Sequence, residues 1–223
     1  MERPEMFEGL LTTRAMRRFT TEPVDTQTIE QCLRAAVQAP SGGNIQPWQF
    51  VVVEDATVKQ QLGVLYRRCY NRYEATMLPT VTAHRSEADE ATWNRGIAAS
   101  QHLAEHFHES PVIVAFCVAD IDMTLRDDDG PLDIGSVLGS VFPAVQNFML
   151  AARAFGLGSS MTTVHRIEQE ACRDILGIPE RLQIVALVPV GHPTGTFGRA
   201  RRRPAETVTH WNRFGSKRPF SPE

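Results

Sequence analysis

Arg14-Ala15-Met16-Arg17-Arg18-Phe19 sets two guanidinium groups three residues apart, and Pro40-Ser41-Gly42-Gly43-Asn44-Ile45-Gln46-Pro47-Trp48 follows after a short amphipathic stretch. A guanidinium bonds phosphate oxygens in pairs and stays charged at every relevant pH. A loop rich in Ser, Gly and Asn offers hydroxyl, amide and bare backbone groups to a flat polar ring. Taken singly, the arginine pair reads as a solvated helix end, and the loop as a turn anchored by a tryptophan. Together they describe a site for a phosphorylated aromatic cofactor, and FMN is the natural candidate.

Other residues could in principle support different chemistry. His102-Leu103-Ala104-Glu105-His106 matches the H-x-x-E-H zinc-protease pattern, but a third ligand at a recognised spacing is missing, so it reads as a polar helix face and no metal is expected. The run Arg199-Ala200-Arg201-Arg202-Arg203 is basic, yet the chain carries a formal net charge of -3 and no aromatic platform alternates with those arginines. Nucleic-acid binding is therefore not expected. The sequence has no nucleophile elbow, no P-loop and no dinucleotide fingerprint.

The elements that must position the two motifs follow from periodicity. At 223 residues, with 42% hydrophobic and 22% charged content, the chain reads as one domain over residues 1–223. Residues 26–37 place Ile29, Leu33, Ala36 and Val37 on one helical face, with Asp25 or Thr26 as N-cap. Residues 49–53 form a short strand, and Val58, Leu62 and Leu65 mark another helix. Residues 67–92 are weakly periodic and rich in Arg, His and acids, and read as a lid-like excursion. A helix over 94–108 and a buried strand over 111–119 come next. Residues 136–155 form a long helix apolar around much of its circumference, closed by Gly156, and suited to the core, a subunit interface, or both. A helix over 167–176 ending at Gly177, a buried strand over 183–190 and a C-terminal extension over 204–223 complete the chain. The fold class is α+β, a mixed central sheet flanked by helices. The longest apolar run, 112–119, is too short to span a bilayer. Residues 1–5 lack an apolar h-region, and Cys32, Cys69, Cys117 and Cys172 are scattered singly, so a cytoplasmic location without disulfides is expected.

At this point the chain resembles the nitroreductase family of FMN-dependent oxidoreductases. The family's Arg-Ser-Val-Arg-x-Phe opening is similar to 14–19, with Ala15 where serine is usual. Its Pro-Ser-x-x-Asn-x-Gln-Pro-Trp pattern is similar to 40–48. A central helix, Gly-Leu-Gly turn and Thr-rich strand resemble 143–163, and the Leu-Pro-Val-Gly-x-Pro and Arg-Arg-Pro segments resemble 188–193 and 202–204. The resemblance implies a homodimer with FMN at the subunit boundary. It implies that Arg14 and Arg17 hold the phosphate, with Ala15 and Met16 adding backbone and packing contacts. Ser41 and Asn44 would meet the ring from the partner subunit, Met161, Thr162 and Thr163 would line its N5 edge, and Arg202 would lie near N1 or the phosphoribityl chain. Gly43, Tyr70 and Tyr73 are candidate substrate contacts. The implied activity is hydride transfer from NADH or NADPH through the flavin to a small electron-poor acceptor, a nitroaromatic or quinone, with the flavin rather than a side chain carrying the chemistry. A flavin deiodinase, a flavin-destroying enzyme and a flavin-sequestering protein are the alternatives.

Overall fold

The computed structural model describes residues 5–83, 90–120, 124–133 and 135–221. Helices α1 (Met6–Thr12) and α2 (Thr26–Ala36) precede strand β1 (Trp48–Val53). Two long helices follow, α3 (Ala56–Ala83) and α4 (Glu90–His106), and then strand β2 (Val112–Ala119). A hairpin of β3 (Thr124–Asp127) and β4 (Gly130–Asp133) leads into α5 (Leu138–Ala154) and the short β5 (Gly158–Ser159). Helix α6 (Gln169–Leu176), strand β6 (Leu182–Gly191) and a turn of helix α7 (Ala205–Val208) end the fold.

The central sheet runs β1-β2-β6-β5, with every neighbour antiparallel. Among the described residues its parallel element is a single bridge from Ala15 to Ser159 at the β5 edge. Strand β2 is buried on both faces, which is why it reads as an unbroken apolar run. Val112, Val114, Phe116 and Val118 meet α2 and α5 on one side, whereas Ile113, Ala115 and Cys117 face the layer containing α3, α4 and α6 on the other. The register shifts between Phe116 and Cys117, which pair with Ala186 and Ile184, leaving Val185 as the extra residue of a bulge.

Local chemistry explains the boundaries. Asp25 caps α2 by accepting from the Thr28 N–H, worth about 1 kcal/mol. Helix α5 ends in a Schellman turn, with Gly156 at φ 76° and Leu157 N–H donating to the Ala152 carbonyl at 2.9 Å. Gly177, at φ 63°, closes α6. The four cysteines are free and buried. No described helix is long and apolar enough to cross a membrane.

The segment 67–92 departs from its sequence reading. Residues 67–83 continue α3 and 90–92 begin α4, while 84–89 lie outside the described residues. The buried side of α3 runs through Leu62, Leu65, Tyr66, Cys69 and Tyr70. Several later side chains, such as Asn71, Arg72, Ala75 and Thr76, are exposed, so apolar spacing fades although the helix does not. Arg68 and Arg72 both pair with Glu168, tying α3 to the turn before α6.

His165 is buried in the core; its Nε2 lies 3.2 Å from the Ile184 carbonyl, and its Nδ1 has no partner among the described residues. Burial pulls this imidazole down to about 4, so the folded state holds it neutral. The unfolded chain, titrating near 6.5, then binds more protons between those values. Stability should fall as pH drops through that window, by up to about 3 kcal/mol. Urea unfolding midpoints of the wild type and His165→Leu from pH 7 to 4 check this. The variant should show the shallower dependence, and parallel profiles would reject the assignment.

Candidate functional site

Residues 14–20 thread between the β5 edge and residues 192–196. Met16 N–H donates to the Ser159 carbonyl at 2.9 Å, Thr20 N–H to the His192 carbonyl at 2.8 Å, and Thr194 N–H to the Arg18 carbonyl at 3.1 Å. This close approach needs Gly158, because a side-chain carbon there would come within 2.9 Å of Met16 Cβ and 3.0 Å of Pro193 Cβ. The threading buries Met16 and leaves Arg14 exposed and Arg17 half-buried.

The result is a cavity of about 690 Å³. Arg14, Ala15, Met16, Arg17 and Arg18 form one wall. Thr194, Gly195 and the stretch 199–202 form a second, and the α4 residues Thr92, Arg95, Gly96 and Ala99 a third. The α4 residues recur at i, i+3, i+4 and i+7, the spacing of one helical face. Among the described lining residues seven are arginines and none is acidic. Arg14 donates to the Thr196 carbonyl at 3.0 Å, which clips the second wall to the first. Arg202 donates to the carbonyl of Arg201 at 3.1 Å.

Arg17 is the informative member. Burial pulls its guanidinium below the ordinary arginine value, with Tyr66 and Tyr70 as its electrostatic neighbours. Among the described residues no carboxylate pairs with it. A partly desolvated cation without a counter-charge is costly to keep, and a dianionic phosphate is the group that would offset it.

Tyr66 links this wall to the Thr-rich strand. It is buried, stacks on Phe107 at 4.1 Å, and its hydroxyl lies 3.0 Å from Thr162 Oγ1. Thr162 is fixed by reciprocal backbone bonds to Leu187 of β6, at 2.9 and 3.0 Å. Met161 and Thr163 flank it and are exposed. Tyr66 thus lies in the electrostatic surroundings of Arg17 and contacts the candidate ring-edge residue Thr162.

A second cavity of about 400 Å³ lies between α3 and α4 and shares Arg18 with the first. Tyr70, Glu74, Gln101 and His102 line it. Tyr70 is largely buried and Tyr73 packs at the edge of the same core, their rings 6.1 Å apart. Arg18 donates to His102 Nδ1 at 2.9 Å, so that nitrogen is the unprotonated one. Burial, then Arg18 and His106, hold the His102 imidazole below its usual value. His102 stacks on His106, which is paired with Glu109 at 3.0 Å. No group of three metal-ligating residues occurs among the described residues.

The 41–46 loop stands apart from both cavities. Gly43, Asn44 and Gln46 have φ of 58°, 55° and 48°, a left-handed conformation that only the first adopts without strain. Ser41 Oγ accepts from Gln46 N–H at 3.1 Å, and Asn44 Oδ1 from Gln46 Nε2 at 3.1 Å. Gly42 N–H reaches Ser140 Oγ on α5 at 3.3 Å. One chain therefore brings together Arg14, Ala15, Met16, Arg17 and Arg202, sets Thr162 against Tyr66, an electrostatic neighbour of Arg17, and leaves Ser41, Gly43 and Asn44 exposed or half-buried elsewhere. Sequence reasoning missed Tyr66, one turn beyond the Leu62 position of the α3 face. It also missed Arg95, whose helical face was legible only as periodicity.

Comparison with known proteins places this geometry in context. The model of the nitroreductase family matches residues 10–192. The chain is 27% identical to an NADH dehydrogenase of Thermus thermophilus over 220 residues, 90% of this chain and 93% of the relative. It is also 27% identical to an iodotyrosine deiodinase of Thermotoga neapolitana, over 90% and 94% of the two chains. Among solved structures, oxidised iodotyrosine deiodinase bound to FMN and 3-iodo-L-tyrosine superposes with a TM-score of 0.72 at 22% identity, covering 94% of this chain and all of that one.

Proposed function

From a chain that belongs to the nitroreductase family, we propose an FMN-dependent oxidoreductase that accepts hydride from NADH or NADPH and reduces an electron-poor acceptor, a nitroaromatic or quinone. The observation that carries this reading is Arg17, a half-buried guanidinium with no counter-charge among the described residues, in a cavity lined with arginine. Bound FMN would supply the redox chemistry, taking up hydride and delivering it to the acceptor.

The chain's own residues divide the remaining work. Arg14, Arg17 and Arg202 hold the phosphate by forked, charge-assisted hydrogen bonds, with the Ala15 and Met16 backbone beside them. A fixed cation also stabilises negative charge that develops on a reduced ring without needing to reorganise. Thr162, pinned by β6 and by Tyr66, presents a hydroxyl at the ring edge between Met161 and Thr163. Ser41, Gly43 and Asn44 act from a second copy of the chain, since their loop lies outside the arginine cavity of its own chain. Helix α3, through Tyr70 and Tyr73, borders the acceptor's approach.

The deiodinase relatives make that activity the principal rival. Two features of residues 67–92 weigh against it here. Residues 67–92 contain no lysine to pair with a zwitterion's carboxylate, and Glu74 is engaged by Gln101 at 2.7 Å. Initial velocities measured over a grid of NAD(P)H and quinone concentrations decide the matter. Parallel double-reciprocal lines, with no iodide released from 3-iodotyrosine, are expected. Faster turnover of 3-iodotyrosine than of quinone would overturn the acceptor class.

A further inference from the structure

The arginine cavity holds more positive charge than one cofactor phosphate can use. A phosphate monoester carries about two negative charges at neutral pH, and three of the seven arginines, Arg14, Arg17 and Arg202, suffice to grip it. Arg18 is held by His102 at the second cavity, which both residues line. Arg95, Arg199 and Arg201 remain, and Arg95 and Arg199 stand on opposite walls of the same cavity. Arg95 donates to Thr92 Oγ1 at 2.7 Å, a neutral partner, and neither arginine has a carboxylate within ion-pair distance among the described residues. Clustered cations without acids repel one another, and a bound anion relieves that repulsion.

The shape points the same way. Arg95 stands beside Gly96 and Ala99, and the position where a side chain would start on Gly96 has nothing within 4 Å. Small residues there leave α4 open to a flat group, with Arg95 and Thr92 at its margin. A phosphate monoester presents three terminal oxygens, enough for guanidinium forks arriving from two walls. A pyrophosphate phosphorus carries a single negative charge and offers less to such a pair.

We propose that Arg95 and Arg199 form a second anion subsite that receives the 2′-phosphate of the reductant, so that the protein selects NADPH over NADH. This rests on the oxidoreductase reading and specifies its donor. The shared chemistry is a second anion beside the flavin phosphate, and an anionic acceptor is the competing source.

Calorimetric titration of the FMN-loaded protein with 2′-phosphoadenosine 5′-phosphate and with 5′-AMP, at low salt, tests the proposal. The 2′-phosphorylated ligand should bind at least about tenfold more tightly. The doubly substituted protein, Arg95→Gln with Arg199→Gln, should lose that preference while still carrying FMN. Equal affinities in the wild type, or a preference unchanged in the variant, overturn the subsite. Loss of FMN from the variant also overturns it, because both arginines would then belong to the flavin site. If the nucleotide pair is not distinguished but 4-nitrobenzoate binds more tightly than nitrobenzene, the second anion belongs to the acceptor and the NADPH assignment fails. If the preference is present while neither NADH nor NADPH bleaches the flavin, the subsite stands and the oxidoreductase reading falls.

Discussion

Arg17→Ala should bind FMN roughly ten- to a hundredfold more weakly than the wild type, corresponding to loss of about 1.5–3 kcal/mol from a charge-assisted hydrogen bond. The variant should fold normally, because Arg17 makes no ion pair among the described residues that the substitution would break. Relieving a partly buried, uncompensated cation should even raise the melting temperature of the FMN-free protein. This opposite movement of cofactor affinity and apoprotein stability distinguishes a ligand-binding arginine from a structural one. Fluorescence-quench titration with FMN, paired with thermal unfolding of the apoprotein, measures both. An unchanged FMN affinity would mean that the phosphate lies elsewhere.

The second large effect concerns assembly. Helix α1 exposes Met6 at 84% and Phe7 at 72%, and α5 exposes Phe142 at 37%. Arg153 of α5 donates to Thr12 of α1 at 3.2 Å, and the 41–46 loop is bonded to Ser140 of α5. These apolar groups therefore all border α5, the helix whose periodicity exceeded what one face requires. A second copy would cover them and bring its Ser41–Asn44 loop with it. Phe7→Asp combined with Phe142→Asp should convert a dimer to a monomer in sedimentation velocity, and FMN affinity should drop more than tenfold as the partner's loop is lost. A monomer that retains full FMN affinity would show that the 41–46 loop plays no part in binding the ring.

Much of the architecture was legible because one physical rule dominated each element. Strand β2 is buried on both faces, so its run of apolar residues is uninterrupted; α2 has Asp25 as a cap and Ile29 and Ala36 on its inner face. Both glycine ends, Gly156 and Gly177, were readable from the turn each must make. Where two rules competed, the reading failed. The later turns of α3 present Arg72 and Thr76 to solvent, so helical propensity persists without apolar periodicity. The β3–β4 hairpin carries a turn signal at Asp129-Gly130, and Asp127 Oδ1 accepts from both N–H groups, but its strands are too short and polar to show alternation. Helix α1 was hidden for a different reason. Its apolar side chains face outward, and outward apolar residues have no partner within the sequence.

The site was legible by motif and not by arrangement. Arg202 is distant in sequence from Arg14 and Arg17, yet all three line one cavity. Tyr66 was invisible because its role depends on Thr162, 96 positions away, reaching its hydroxyl. Arg95 looked like any exposed helical charge. Its significance comes from the wall opposite, which residues 199–202 complete only after the chain has crossed the sheet.

The arginine cavity is expected to serve hydride transfer through bound FMN. Anaerobic mixing of the FMN-loaded protein with NADPH, followed at the flavin's visible absorption band, tests it most directly. The band should bleach in a single saturable phase and recover when a quinone is added without oxygen. A flavin that remains oxidised with excess NADPH and with excess NADH, in a protein shown to hold one FMN per chain, would contradict the account.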